Sequence, residues 1–92
     1  VREVNGRQML ELGGVWIDKG AQAKKRKTVV VKALSDAYFR ILEKHPKMKK
    51  VFQLGNHLVW VTPGDALLVV DLNDGVSKLS DKEIDALFSV EK

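Results

Sequence analysis

The chain contains no cysteine. That absence excludes disulfide frameworks, thiolate zinc sites and cysteine nucleophiles together, and it leaves the redox compartment undecided. Histidine is nearly as scarce. His45 and His57 are the only two, and a pair without a clear third ligand does not make a metal site. No apolar stretch approaches the ~20 residues of a membrane-spanning helix. No G-x-S-x-G occurs, and the Gly13-Gly14 pair is too short to form a dinucleotide or phosphate loop.

What remains has the composition of an ordinary globular domain, 45% apolar and 30% charged. Ninety-two residues suffice for one core without staples. The chain starts at Val1 without an initiator Met or signal-peptide pattern. It therefore reads as a single domain, residues 1–92, cut from a larger protein. The net charge of +4 is unevenly spread: residues 1–50 carry 13 Lys/Arg against 5 Asp/Glu, and residues 51–92 carry 3 against 7. The two halves either face each other or leave a basic surface that attracts polyanions.

Local signals order the chain as three strands, a loop, a strand, a helix, a hairpin and a helix. Asn5-Gly6 suits a type I′ turn, since both of its central residues need positive φ. Residues 15–18 make a third short strand around Trp16. The run 28–33 is β-branched, with adjacent valines that fit a strand buried on both faces or covered by a helix. Ser35 caps a helix over 36–45 that Pro46 stops, with Leu34, Tyr38, Ile41, Leu42 and His45 on one stripe. A further helical turn ends at Gly55. Residues 58–61 and 66–72 flank Thr62-Pro63-Gly64-Asp65, which suits a type II turn. Ser80 and Glu83 then form a capping box, beside a staple of Leu79 and Ile84. The core is expected to draw on Tyr38, Ile41, Leu42, Val59, Val61, Leu68, Val70, Ile84 and Phe88.

The chemistry-bearing candidates are few. Lys24, Lys25, Arg26 and Lys27 form a basic run that Lys47, Lys49 and Lys50 could join as a polyanion contact. No aromatic residue lies within 19–32 to stack a base. The favoured reading is a solvated, poorly ordered loop whose charges keep the following strand from edge-to-edge association. Asp71 to Gly75 invites a calcium reading, but the fifth position is Gly75 and the twelfth is Lys82, so the motif fails twice. Ser35, Ser77 and Ser80 read as caps or turn residues, and Asp81 and Asp85 as solvated. Trp16 and Trp60 read as core or half-buried strand residues. The residues thus imply no enzyme, no catalytic set, no cofactor and no metal.

Residues 14–18, 27–32 and 35–39, with Leu54-Gly55, carry a resemblance. "GVWID", "KTVVVK", "SDAYF" and "LG" before another strand are similar to the region that follows the von Willebrand A-type domain in bacterial proteins of the inter-α-trypsin-inhibitor-like group. The likeness spans about two thirds of the chain. It implies an accessory module of a larger bacterial protein, extracytoplasmic or at the cell surface, that contacts a protein partner or other domains of its parent chain. The metal-ion adhesion motif Asp-x-Ser-x-Ser is absent, so no functional residue carries over.

Together these expectations give a small α+β domain: an antiparallel, partly closed sheet of about six strands with one central helix and a C-terminal helix. Two functions compete. One is a non-catalytic interaction or structural module. The other is a polyanion-binding module, for nucleic acid or an anionic surface, using Lys24 to Lys27 with Lys47, Lys49 and Lys50. Nucleic acid is the less favoured partner, and the oligomeric state is open.

Overall fold

Asn5 and Gly6 both adopt positive φ, 50° and 79°, and close the hairpin that the pair demands. The computed structural model describes residues 1–90. The hairpin joins β1 (Arg2–Val4) to β2 (Arg7–Leu12), and β3 (Val15–Asp18) completes the meander. After the 19–27 loop come β4 (Thr28–Lys32) and helix α1 (Asp36–Lys44), capped by the Ser35 hydroxyl. A 3₁₀ turn (Pro46–Met48) runs into the short α2 (Lys49–Phe52). The hairpin β5 (Leu58–Val61) and β6 (Leu67–Asp71) follows, then α3 (Asp81–Phe88) with its Ser80–Glu83 capping box complete.

The class is α+β, with six strands in one sheet ordered β1-β2-β3-β5-β6-β4. Two details differ from a purely antiparallel, partly closed sheet. β3 pairs with β5 and β4 with β6 in parallel, and the sheet stays open. Parallel neighbours need a long crossover. Residues 19–57 supply it, carrying the chain through β4 and both helical segments before β5 returns beside β3. Val76 bridges to β4 (Val76 N to Val30 O, 2.9 Å; Lys32 N to Val76 O, 3.0 Å), so the strand's outer groups are partly used.

All three helices contribute buried apolar residues to one core, while Phe39 of α1 stays 53% exposed. Ala37, Tyr38 and Ile41 of α1, Val51 and Phe52 of α2, and Ile84 and Leu87 of α3 meet Met9, Leu58, Trp60, Leu68, Val70 and Val31. Tyr38 stacks on Phe52, with ring centroids 4.3 Å apart. Of the expected core, Tyr38, Ile41, Val61, Leu68, Val70 and Ile84 are buried, and Leu42 and Phe88 pack half-buried against it. Val59 does neither. Leu34 also leaves the expected stripe: it is 56% exposed with φ +64°, ahead of the Ser35 cap.

The β5–β6 turn also differs from expectation. Asp65 N donates to Thr62 O at 2.9 Å, and positive φ (62°) falls on Asp65 rather than on Gly64. A type II turn needs it one residue earlier. Gly64 serves packing instead: its N–H donates to Leu87 O at 2.8 Å, and a Cβ there would stand 2.5 Å from Ala86 O.

Candidate interaction surface

Strand partners project to the same face of a sheet, and successive residues alternate faces. The registers therefore sort every strand residue. Trp16, Leu58, Val70 and Val31 form one cross-strand row on the helix side, and Trp60, Leu68 and Val29 form another. All seven belong to the core or pack against it.

The opposite face carries a second apolar row. Leu10 pairs with Ile17, Ile17 with Val59, Val59 with Val69, and Val69 with Val30. Five aliphatic side chains thus run across β2, β3, β5, β6 and β4 at one level. Each is half-buried by its strand neighbours, and none joins the core or packs against it. Leu12 and Val15 extend the patch at one end, Leu12 being 57% exposed, and Leu67 extends it at the other. Val61 is buried, so the open area centres on the row. Among the described residues no helix contributes to this face. Charge begins beyond it: His57 Nδ1 lies 3.5 Å from Asp71 Oδ2, and Lys32 is paired with Asp71 across the strands.

At the other end Asp18 holds the meander to the rest of the sheet. Its side chain is on the helix side and almost fully buried. It accepts from Arg7 Nε at 2.8 Å and Arg7 Nη2 at 2.9 Å, and from the amides of Gly20 (2.8 Å) and Val61 (3.0 Å). Burial by itself would push this carboxyl up. The Arg7 hydrogen bonds and the two amides outweigh it and hold Asp18 below the usual carboxylate range.

The basic run is less free than a solvated loop would be. Arg26 has a side chain only 8% exposed, donating to Asp65 Oδ1 at 2.9 Å and to the carbonyls of Gly20 (2.9 Å) and Ala21 (3.2 Å). Lys24 pairs with the same Asp65, and Ala21 is buried. These bonds tie residues 20–26 to the β5–β6 turn, which corrects the expectation of a poorly ordered segment. Lys25, Lys27, Lys47, Lys49 and Lys50 are exposed. Among the described residues no ion pair takes them in, and none joins the 24–27 run to the 47–50 group. Lys47 lies instead by the first hairpin, its carbonyl accepting from Asn5 Nδ2 at 2.8 Å.

The remaining candidates have structural employment. The Ser35 and Ser80 hydroxyls cap α1 and α3, and Ser77 O accepts from Ala37 N. Asp71 Oδ1 accepts from the amides of Asn73 and Asp74, which makes "DLNDG" a side-chain-capped turn. Asp81 pairs with Arg40 and Asp85 with Lys44, clamping α1 to α3. His45 closes α1 and stacks on Phe88 with centroids 3.8 Å apart, beside a cavity of about 600 Å³ that Trp60 also lines. His45 Nε2 and Trp60 Nε1 are buried there without a partner. Among the described residues no group of three or more His, Asp or Glu side chains is placed to hold a metal ion, and no helix is long and apolar enough to cross a membrane.

The open-face row escaped the sequence reading, although its signal was present. Residues 29–31, 58–61 and 67–70 are apolar at both parities, the pattern of strands covered on both sides. No family model, no curated relative and no solved structure matches the chain.

Proposed function

We propose that this chain is a non-catalytic interaction module of a larger bacterial protein, and that the open sheet face is its contact surface. A single observation carries the reading. An unbroken aliphatic row crosses five strands, and among the described residues no helix packs over it. Apolar surface left in water forgoes ~25 cal/mol per Å² of stabilisation, so such a face favours a cover. Patches of this kind mark contact sites on folded proteins. The partner is a folded polypeptide with an apolar face of its own, because the row holds no cation for a phosphate and no aromatic group for a base. The likeness to the region after a von Willebrand A-type domain supports the same reading, since an accessory module in that place works by contact. Polyanion binding by the basic run is the weaker alternative, because Lys24 and Arg26 already share the Asp65 carboxylate, which offsets one of their two charges.

The test places a photo-cross-linking amino acid at Val59 in the protein as it occurs in its host. A second sample carries it at Lys82, on the solvent side of α3. Polypeptide cross-links from position 59 and few from position 82 are expected. Reaction with solvent alone at position 59 overturns the reading.

A further inference from the structure

The geometry points to a second copy of this chain as the occupant of the open face, two sheets packing face to face. The inference rests on reading that face as a contact surface and names the partner. Size selects it. Five strands at ~4.8 Å spacing span about 20 Å, and the levels from Leu12 and Val15 to Leu67 add about 15 Å along the strands. A single helix is only ~10–12 Å across and would leave about two of the five strands bare. Another sheet of the same width covers them all, and stacked sheets sit ~10 Å apart with aliphatic side chains interleaved.

Area sets the class of contact. With side-chain relief, a patch of these dimensions offers roughly 500–600 Å² per copy, so a pair buries about 1,000–1,200 Å². That is the lower limit for a specific interface, and it suits a weak, reversible contact rather than an obligate dimer.

Composition agrees. The central row Leu10, Ile17, Val59, Val69 and Val30 has no charged member, while Lys32, His57 and Asp71 lie at one margin and Gln8 and Thr28 at the other. An apolar centre inside a polar rim is the anatomy of a protein contact. The marginal charges are of both signs, so two-fold pairing does not set a single-sign surface against itself. A two-fold contact also needs one self-complementary patch rather than two complementary ones, and the open row supplies it.

Sedimentation velocity on the whole chain, from about 5 to about 500 µM, tests this in the range where micromolar dimers form. The expected result is a mass that rises from 10.3 kDa toward twice that value with concentration. Val69→Lys should weaken association by ~30-fold or more, and the gentler Val69→Thr by ~3–10-fold, because each sets a polar group against the partner's aliphatic row. Circular dichroism checks that each variant is folded, and Val69→Thr serves if the lysine variant is not. Photo-cross-linking from position 59 between differently tagged copies should join the two. A monomer at every concentration overturns the second copy. A dimer indifferent to both variants does so too, since it would use another surface such as the β1 edge. In either case cross-linking of the host protein at Val59 still decides separately whether the face makes contacts at all.

Discussion

The Asp18 carboxylate accepts a hydrogen bond from the Val61 amide, 3.0 Å away and 43 residues further along the chain. It closes the end of the parallel β3–β5 pair while the same group holds Arg7 of β2 in a two-pronged ion pair. One buried carboxylate thus joins the N-terminal meander to the β5–β6 hairpin.

Removing it leaves Arg7 and two amides without their acceptor. Asp18→Ala should cost ~2–4 kcal/mol, as losing one member of a buried charged network does. The pH dependence has a definite sign. The folded-state pKa lies below the ordinary 3.8, so the stabilisation is complete above that value and is lost as pH falls through the folded pKa. Urea denaturation of the wild type and Asp18→Asn should therefore differ most near neutral pH, with the gap closing below about pH 3.8. A gap that stays constant down to about pH 2.5 would contradict the linkage.

Leu68 and Val69 are neighbours in β6 and face opposite sides. Leu68 is fully buried under the helices, whereas Val69 lies in the open row. Leu68→Ala should cost ~2–5 kcal/mol, as large-to-small core changes do. Val69→Thr should cost under ~1 kcal/mol at concentrations that keep the chain monomeric. Denaturant titration of both variants checks the assignment of faces, and equal costs would refute it.

Gly64 is needed for the closeness of the β5–β6 turn to α3, not for its own φ. Gly64→Ala drives a Cβ against the carbonyls of Ala86 and Leu87. The strain should cost ~1–3 kcal/mol and lower Tm. A variant as stable as the wild type in thermal unfolding would show that α3 shifts without penalty.

Within the basic run the four residues should separate. Arg26→Ala loses bonds to Asp65, Gly20 O and Ala21 O, and it should destabilise by ~1–3 kcal/mol. Lys25→Ser, which breaks no ion pair, should stay within ~0.5 kcal/mol. Chemical denaturation of the single variants reads this directly. Four equal, small effects would restore the solvated-loop picture.

What the sequence determined by itself were features closed within a few residues: the Asn5-Gly6 turn, the Ser35 cap, and the Ser80–Glu83 box. Each is a local hydrogen bond or a local φ requirement, and its chemistry is complete in a tetrapeptide. The α+β class and the strand count were also legible, because periodicity and turn residues mark elements one at a time. Tertiary structure alone decided which strands became neighbours. The parallel pair β3–β5 depends on how a 39-residue crossover, residues 19–57, folds back, and β4–β6 on the overlapping crossover of residues 33–66. It also decided which side of each strand faces the helices. Leu58 and Trp60 went to the core and Val59 to the open face, although all three are apolar. A period-2 signal needs contrast between its two parities, and a strand apolar at both has none. For the same reason Arg26 could not be told from its three basic neighbours. Its partner, Asp65, is 39 residues away, and only the folded chain brings the two together.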